Sequence, residues 1–251
     1  MFPREALFFA MEGHMPQRYF LNEDKGIITG QDAFHIKQVM RMKSGDLIIV
    51  CIEGECYEAS ITVSNEDVNY TIVKILEKKE TLDITLFQGM PKGNKVETTL
   101  KYATMYGVSH IVLVDMKRTI QQGKPSDQKM IRYQMIMKEA AELAHRFEVP
   151  TLDYMKDLER VKWDDFDLIL LADEDCKTVT LNDAIPNYLK SLKIALIIGP
   201  EGGIDLKERV YLKQQNAILV SLGSNILSSE IASLYALSIL NSKIPKCFDK
   251  Q

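Results

Sequence analysis

Residues 194–204, with the sequence IALIIGPEGGI, decide the fold class of this chain. The apolar run Ile194–Ile198 ends in three glycines within five residues, and a helical pattern over Leu206–Gln214 follows. An uninterrupted apolar run of this length is typical of a strand buried on both faces of a parallel sheet. Glycines directly after the strand let a ligand approach the backbone, because no Cβ stands in the way. We therefore predict an α/β fold with a candidate binding loop at the carboxyl end of this strand.

Strand and helix patterns alternate on both sides of this segment. The predicted strands are Ile84–Gln88, His110–Asp115, Leu168–Ala172, Lys193–Ile198 and Ala217–Leu222. The predicted helices are Lys95–Tyr106, Asp127–Phe147, Val179–Leu189, Leu206–Gln214 and Ser228–Leu240. This alternation indicates a parallel sheet that helices cover on both faces, and we place it in residues 77–251.

The amino-terminal part of the chain has a different pattern. Turn signals separate three β-branched-rich segments, Leu47–Ile52, Cys56–Val63 and Tyr70–Leu76, and a short helical stretch lies around His35–Met42. We predict a small β-barrel or sandwich over residues 15–76. The triplet Gly13-His14-Met15 is typical of a cloning junction, so we treat residues 1–14 as an extension outside the fold.

Composition argues against several classes of protein. The apolar runs are too short to span a bilayer, so no membrane is expected. The four cysteines, Cys51, Cys56, Cys176 and Cys247, form no C-x-x-C pair and have no histidine at metal-ligand spacing. We expect no metal and no disulfide, and a cytoplasmic protein. The four histidines are scattered and form no pattern of a catalytic triad, which makes nucleophilic catalysis a weak interpretation.

Basic residues are concentrated in two stretches, although the net charge is −4. Between Met116 and Lys138, a single acid, Asp127, stands among Lys117, Arg118, Lys124, Lys129, Arg132 and Lys138. A second stretch contains Lys37, Arg41 and Lys43. This distribution suits a protein that meets a polyanion over a limited footprint, and a solvated surface is the alternative.

Three loops follow strands of the predicted sheet and are candidates for the site. Gly199–Gly203 offers bare amides to a polar ligand but lacks the lysine of a P-loop; a tight turn without a ligand is the alternative. In Ser221–Leu227, three apolar side chains are suited either to the wall of an adenine site or to burial against the core. Ser228 or Ser229 is a candidate cap of the final helix. Ala172–Cys176 is an acidic loop that would close the pocket from one side.

These loops resemble a known family signature. Gly199–Gly203, then Leu222-Gly223 with Ile226-Leu227 and Glu230, is similar to the cofactor-binding signature of the SPOUT methyltransferases. From Gln17 to Leu240 the chain resembles the bacterial 16S ribosomal RNA uracil-N3 methyltransferases. The supporting stretches are Gln17-Arg18-Tyr19-Phe20, His35-Ile36, Val39, Arg41, Gly45-Asp46, Lys92-Gly93, Lys95, Glu97, Lys138–Glu142, Arg146 and Pro150.

The resemblance implies a fold, a cofactor and partners. The carboxy-terminal domain would be a trefoil knot, a rare exception to unthreaded topology, and would form a homodimer. The amino-terminal barrel would resemble a PUA domain and help to hold ribosomal RNA. The cofactor would be S-adenosylmethionine, bent within the knotted loops. The substrate would be a uridine in the 16S RNA of the small ribosomal subunit, methylated at N3.

The resemblance also implies site residues. The expected cofactor-binding residues are Leu171, Ala172, Gly199, Pro200, Glu201, Gly202, Gly203, Leu222, Gly223, Asn225, Ile226 and Leu227. The expected RNA-binding residues are Arg18, Lys37, Arg41, Lys92, Arg118 and Arg132. As catalytic residues we expect Arg118 and Arg146 to bind RNA phosphate or the uracil carbonyls. Glu201 or Glu230 would order the pocket or accept the proton, and helix capping is an equal alternative for each carboxylate.

The chain departs from the family pattern at four positions. Arginine is usual where Asn225 and Ser228 stand, threonine at Ile231 and glutamine at Leu143. Loss of two arginines beside the cofactor would weaken the contact with RNA phosphate or the activation of the base. An RNA-binding protein that has lost methyl transfer, or a SPOUT enzyme acting on transfer RNA, is therefore kept as an alternative. A nucleotide-dependent oxidoreductase is remote, because the dinucleotide fingerprint is missing.

Overall fold

The computed structural model describes residues 16–78, 81–120, 122–187 and 191–244. The chain separates into two compact units, with the division after residue 78. The predicted extension, residues 1–14, lies outside the described residues.

The amino-terminal unit is a five-stranded sheet with one short helical segment. Its elements are β1 (Arg18–Leu21), β2 (Ile27–Ile28), α1 (Gly30–Phe34), a π-helical turn (His35–Val39), β3 (Leu47–Ile52), β4 (Glu55–Val63) and β5 (Val68–Ile75). The strand order is β1-β3-β4-β5-β2, and β3, β4 and β5, which contain the three predicted segments, pair antiparallel. Tyr19, Ile36, Ile48 and Ile61 are fully buried between the sheet and the helical segment, which gives this unit its own core.

The expectation of no disulfide is wrong. Cys51 on β3 lies directly opposite Cys56 on β4, and their sulfurs form a disulfide. Glu53 and Gly54 at the turn between them adopt positive φ angles of 49° and 84°, which closes a tight hairpin. Cysteines equidistant from such a turn face each other across the strands, so a search for C-x-x-C spacing does not detect them.

The carboxy-terminal unit is a six-stranded, wholly parallel sheet with the order β11-β9-β10-β6-β7-β8. Its strands are β6 (Asp83–Gly89), β7 (His110–Val114), β8 (Thr151–Met155), β9 (Leu168–Ala172), β10 (Lys193–Ile198) and β11 (Ile218–Val220). Its helices are α2 (Lys95–Met105), α3 (Asp127–Leu143), α4 (Leu181–Ala184), α5 (Leu206–Gln214) and α6 (Ser229–Ser242). Short 3₁₀ turns lie at Leu158–Arg160 and Trp163–Asp165.

Most of the predicted elements in this unit are confirmed, but two helices are shorter than predicted and one strand was not predicted. The edge strand β8 was missed, because its buried and exposed residues do not form an apolar run. Helix α3 ends at Leu143 rather than Phe147, since His145 adopts a left-handed backbone with φ of 52°. Helix α4 spans only Leu181–Ala184 of the predicted Val179–Leu189, of which 188–189 lie outside the described residues.

The apolar run that decides the fold class contributes side chains to the cores on both faces of the sheet. Leu196 on β10 belongs to the core under α2, α3 and α6, while its neighbour Ile197 belongs to the core that contains Trp163 and Leu212. All residues of Ile194–Ile198 are buried, as expected for a strand with helices on both sides. Because every strand of this sheet runs in the same direction, the loops that follow β6, β9, β10 and β11 meet at one edge.

Within the described ranges, no helix is both long enough and apolar enough to cross a bilayer. The same residues contain no group of three or more histidine, cysteine, aspartate or glutamate side chains that would hold a metal ion.

Candidate functional site

A cavity of about 340 Å³ lies at the carboxyl edge of the parallel sheet. The loops after β9, β10 and β11 form its walls, and the first turn of α6 completes it. The expected cofactor residues that line it are Ala172, Gly199, Pro200, Glu201, Gly203, Leu222, Gly223, Asn225, Ile226 and Leu227. The structure therefore brings together three loops that are far apart in the sequence.

Two residues of the expected cofactor set do not line the cavity. Leu171 is fully buried in the core that also contains Trp163, so its side chain packs inside the protein. Gly202 faces Arg118: a Cβ at Gly202 would lie 3.0 Å from both the Cβ and the carbonyl oxygen of Arg118. Neither residue is among those that line the cavity, so their assignment to the cofactor stays a prediction.

Close backbone packing explains the glycines around the cavity. A Cβ at Gly89, the last residue of β6, would lie 2.6 Å from the backbone nitrogen of Pro200. Gly203 has a φ of +73°, and a Cβ there would lie 2.5 Å from Oε1 of Glu174. The amide of Gly203 donates to the carbonyl of Pro200 at 2.9 Å and closes the turn. A side chain at either glycine would push the loops apart.

A buried polar network ties the glycine loop to the sheet and to α6. Gln88 on β6 is fully buried, and its Nε2 donates to Oγ of Ser229 at 2.8 Å. Ser229 in turn donates to the carbonyl oxygen of Gly199 at 2.5 Å, and the Ser233 hydroxyl donates to Oε1 of Gln88. Sequence reasoning missed Gln88 and Ser233, although a glutamine inside an otherwise apolar strand is a signal, because buried polar groups require partners.

One lysine joins the two predicted catalytic carboxylates. Nζ of Lys95, at the start of α2, lies 3.3 Å from Oε1 of Glu201 and 3.3 Å from Oε2 of Glu230. The amide of Lys92 also donates to Oε1 of Glu201, at 3.1 Å. Of these groups, Glu201 lines the cavity, and Glu230 lies in the first turn of α6.

These contacts change the pKa values of two members of the cluster. Hydrogen bonds to Glu201 and then to Glu230 raise the pKa of Lys95 above its usual value. Partial burial acts to raise the pKa of Glu201, but hydrogen bonds from the amide of Lys92, its own amide and Lys95 outweigh it and lower that pKa. Lys95 is therefore a cation and Glu201 an anion at neutral pH, so Glu201 is a weak base. Sequence analysis did not assign Lys95 to the site.

The acidic loop after β9 is held by an arginine of α5. Nε of Arg209 lies 2.6 Å from Oδ2 of the buried Asp173, and its Nη2 lies 2.7 Å from Oδ2 of Asp175. The hydrogen bond to Asp175 is the main reason that the pKa of Arg209 is raised. Glu174, between the two aspartates, lines the cavity. The loop closes the cavity from one side, as the sequence predicts.

In the loop after β11, apolar residues both line the cavity and pack against the core, the two alternatives that the sequence leaves open. Leu222 and Leu227 line the cavity and also pack against the main core. Ile226 lines the cavity but is 85% exposed. Ser228 is the N-cap of α6 by position, yet its side chain makes no capping hydrogen bond. The wall that this loop forms is therefore partly fixed by the core and partly open to solvent.

The two predicted catalytic arginines lie in different places. Arg118 is exposed and donates from Nη1 to the carbonyl oxygen of Gly202 at 3.1 Å, so it lies beside the glycine loop. Arg146 instead donates to the carbonyl oxygens of Thr104 and Val108, at 2.9 and 2.7 Å. Val108 precedes β7, at the edge of the sheet opposite the cavity. We therefore correct the assignment of Arg146, which stabilises the connection between α2 and β7.

The predicted RNA-binding residues differ in exposure. Arg18 is 5% exposed, and burial lowers its pKa, so we remove it from the RNA-binding set. Lys37 donates to the carbonyl oxygens of Asn65 and Glu66, and Arg132 pairs with Glu97 at 2.9 Å. Arg41, Lys92 and Arg118 have exposed side chains.

Comparison with known proteins agrees with this architecture. Residues 78–241 match the family described as the RNA methyltransferase domain, and residues 28–67 match the RNA methyltransferase PUA domain. The chain is 32% identical to ribosomal RNA small subunit methyltransferase E of Bacillus subtilis, over 90% of this chain and 96% of the relative. It is 29% identical to the protein of the same name from Mesomycoplasma hyopneumoniae, over 88% and 97% of the two chains.

Solved structures show the same fold. A crystal structure described as a hypothetical protein superposes with a TM-score of 0.77 at 29% identity, over 90% of this chain and 98% of that one. The ribosomal RNA small subunit methyltransferase E of Neisseria gonorrhoeae, solved with S-adenosyl methionine, also gives a TM-score of 0.77, at 24% identity over 91% and 98% of the chains.

A parallel α/β domain with a loop-walled cavity, preceded by a PUA domain, matches the predicted fold class. The chain belongs to the RNA methyltransferase family that includes ribosomal RNA small subunit methyltransferase E.

Proposed function

We propose that this protein transfers a methyl group from S-adenosylmethionine to N3 of a uridine in the 16S RNA of the small ribosomal subunit. The observation that carries the proposal is the cavity at the carboxyl edge of the sheet, in a chain that aligns along 90% of its length with a ribosomal RNA small subunit methyltransferase E. The position N3 rests on the resemblance of the three loops and their flanking motifs to the uracil-N3 methyltransferases.

The residues that line the cavity fit the cofactor. Its volume of about 340 Å³ lies within the range of small-molecule sites. Leu222 and Leu227 offer apolar surface to an adenine ring, and the backbone of the lining residues Gly199 and Gly223 offers groups for its polar edge. The carboxylates of Glu174 and Glu201 face a ligand that carries positive charge. When bound, the cofactor supplies an electrophilic methyl group on a sulfonium centre.

The charged cluster beside the cavity is suited to a reaction that passes through an anion. N3 of uracil must lose its proton before it accepts a methyl group, and a fixed cation lowers the free energy of the resulting anion. Lys95 is such a cation, held by Glu201 and Glu230. The lowered pKa of Glu201 makes it a poor proton acceptor, so we assign Glu201 to the positioning of Lys95. Glu230, the other carboxylate paired with Lys95, is assigned to accept the proton from N3.

RNA binding is proposed for exposed basic side chains. Arg118 lies beside the glycine loop, and Lys92 lies in the loop after β6, so both flank the cavity. Exposed guanidinium and ammonium groups bind phosphate oxygens, and such contacts fix the register of RNA. The amino-terminal unit contributes further contacts through its PUA domain.

Three further properties follow from the family resemblance and form part of the proposal. The carboxy-terminal unit is threaded into a trefoil knot, two copies associate through this unit, and the protein works in the cytoplasm on small ribosomal subunits. Ile231 and Tyr235, one turn apart on α6, are each 45% exposed, which supports an apolar contact between two copies. Light scattering at several concentrations tests the dimer.

The proposed function is tested on purified protein. The chain is titrated calorimetrically with S-adenosylmethionine, then incubated with unmodified small subunits and labelled cofactor, and the RNA nucleosides are separated by mass spectrometry. We expect binding of the cofactor and the appearance of 3-methyluridine at one position. RNA binding without any transfer of label would support the methyltransferase-dead alternative. Label in transfer RNA alone would support the other alternative.

A further inference from the structure

A second cavity, of about 180 Å³, lies in the carboxy-terminal unit beside the loop that follows β6. Its floor is apolar: Met90 and Val96 line it and are 9% and 3% exposed, and the ring of Tyr133 adds an aromatic surface. Its rim carries Lys124 and Lys129, both exposed. An apolar floor with an aromatic ring and a cationic rim is the arrangement that binds a nucleotide, because the base covers the floor and the phosphate meets the cations.

The rim is held in place by the end of β7. Oδ2 of Asp115 accepts a hydrogen bond of 2.7 Å from the amide of Gly123 and one of 2.6 Å from the hydroxyl of Tyr154. Burial, and secondly the hydrogen bond to Asp115, raise the pKa of Tyr154 to about 12. The hydroxyl therefore keeps its proton and remains a donor. Ser126 then caps α3 by accepting from the amide of Lys129. The two lysines are therefore presented by an anchored turn and a capped helix.

The charge of the second cavity is of one sign. The described residues that line it include Lys124 and Lys129 and no acid. The nearest carboxylate in the chain order, Asp127, does not line it. An anionic group is therefore the complementary ligand.

The two cavities are neighbours across one short segment. Met90, Pro91 and Gly93 line the second cavity. The amide of Lys92, between them, donates to Glu201, which lines the first cavity. Lys95, two residues after Gly93, forms the ion pairs with Glu201 and Glu230. A nucleotide in the second cavity would thus lie beside the nucleotide presented to the methyl donor.

We propose that the second cavity is a subsite for the RNA nucleotide next to the methylated uridine, with its phosphate on Lys124 and Lys129 and its base on Tyr133. This inference rests on the proposed function and adds a site to it. The subsite sets where the RNA strand lies before the target base meets the methyl donor, so it governs the KM for RNA rather than the affinity for the cofactor.

The first test removes the two cations. Lys124→Ala/Lys129→Ala is compared with Lys101→Ala/Lys193→Ala, which removes the same charge from exposed positions elsewhere in the unit. We expect the KM for small-subunit RNA to rise about tenfold or more in the first variant, with little change in kcat or in the Kd for S-adenosylmethionine. The matched control is expected to stay within about twofold of the unmodified protein. Equal effects in the two variants would overturn the subsite.

A second variant separates an effect on RNA binding from an effect on the stability of the fold. Ser126→Asp places a carboxylate in the lining of the cavity, and aspartate is as good an N-cap as serine, so α3 remains capped. We expect weaker RNA binding at an unchanged melting temperature. RNA affinity equal to that of the unmodified protein would count against the proposal.

The failure of the subsite is distinguishable from the failure of the proposed function. RNA affinity of the three variants is measured directly by filter binding, without cofactor, alongside methylation. If the unmodified protein transfers no methyl group, the proposed function fails, while the binding comparison still tests the subsite. If it methylates RNA and all variants bind RNA equally well, only the subsite fails.

Discussion

The hydroxyl of Ser229 donates a 2.5 Å hydrogen bond to the carbonyl oxygen of Gly199, thirty residues earlier in the chain. This bond connects the first turn of α6 to the loop that forms one wall of the main cavity. Gln88 donates to the same hydroxyl from β6, so the hydroxyl both donates and accepts. The wall of the cavity is therefore held by a polar contact inside the protein as well as by its own turn.

Ser229→Ala is expected to destabilise the protein and to loosen the cavity. The substitution leaves Nε2 of the buried Gln88 short of an acceptor and the carbonyl of Gly199 without this donor, which costs about 1–3 kcal/mol of unfolding free energy. We expect weaker binding of S-adenosylmethionine in calorimetry. Ser224→Ala, an exposed position of the same cavity, is the control. Equal stability of the two variants would contradict the role of the network.

Lys95→Met is expected to raise the pKa of Glu201. Because the folded-state pKa of Glu201 lies below its usual 4.5, the ionised carboxylate stabilises the fold. This stabilisation is complete when the pH is above the usual pKa of 4.5, and it is lost as the pH falls through the lowered pKa of the folded protein. Without Lys95, the pKa of Glu201 in the folded protein should lie closer to 4.5, so the stabilisation should be smaller and its loss complete at a higher pH, although the bond from the amide of Lys92 remains. Carbon NMR titration of the Glu201 carboxyl measures the shift, with Lys101→Met as control.

Methyl transfer should also depend on Lys95. We expect Lys95→Met to lower kcat at an unchanged Kd for the cofactor, because the cation is assigned to the anionic form of the base. Lys95→Arg keeps the charge and should retain part of the activity. If Lys95→Met and Lys95→Arg lose activity equally while binding RNA and cofactor normally, the positive charge at this position does not contribute to methyl transfer.

Gly203→Ala is expected to destabilise the glycine loop for two separable reasons. The φ of +73° costs a residue with a Cβ about 1–2 kcal/mol, and the new atom would collide with the carboxylate of Glu174. Urea denaturation measures the total. Glu174→Ala removes the collision and leaves the backbone cost. Adding Gly203→Ala to the Glu174→Ala protein should therefore lower the unfolding free energy by less than adding it to the unmodified protein. Equal losses would show that the loop already avoids Glu174.

Arg146→Ala is expected to act on stability rather than on the reaction. Loss of the hydrogen bonds to Thr104 and Val108 should lower the unfolding free energy by about 1.5–3 kcal/mol. The Kd for S-adenosylmethionine should not change. Arg160→Ala, in an exposed pair with Asp157, is the control and should cost well under 1 kcal/mol. A fall in methyl transfer without a fall in stability would restore Arg146 to the catalytic set.

Asn225→Arg/Ser228→Arg is expected to tighten RNA binding. Both positions line the main cavity, both are exposed, and the resemblance places arginine at each. Each RNA phosphate that a new arginine neutralises should steepen the dependence of log Kd on log salt by about 1. Asn182→Arg/Ser242→Arg adds the same charge at exposed positions elsewhere. A similar increase in affinity in this control would attribute the effect to net charge alone.

Much of the fold and the location of the cavity could be predicted from the sequence. Apolar runs such as Ile194–Ile198 mark buried parallel strands, and parallel strands bring their following loops to one edge. For that reason the loops after β9, β10 and β11 were predicted as site loops, and each of them lines the cavity. These features depend on residues that are close in sequence, where periodicity and turn chemistry act directly.

What the sequence determined by itself was the succession of elements and the glycines that let loops approach one another. Only the tertiary structure decided which polar groups meet: Gln88 bonds to Ser229 from 141 residues away, Lys95 joins Glu201 to Glu230, and Arg146 points to the far edge of the sheet. The physical reason is that a hydrogen bond or ion pair needs only two groups within about 3 Å. No local pattern records such a pairing, because the packed sheet and helices bring the partners together.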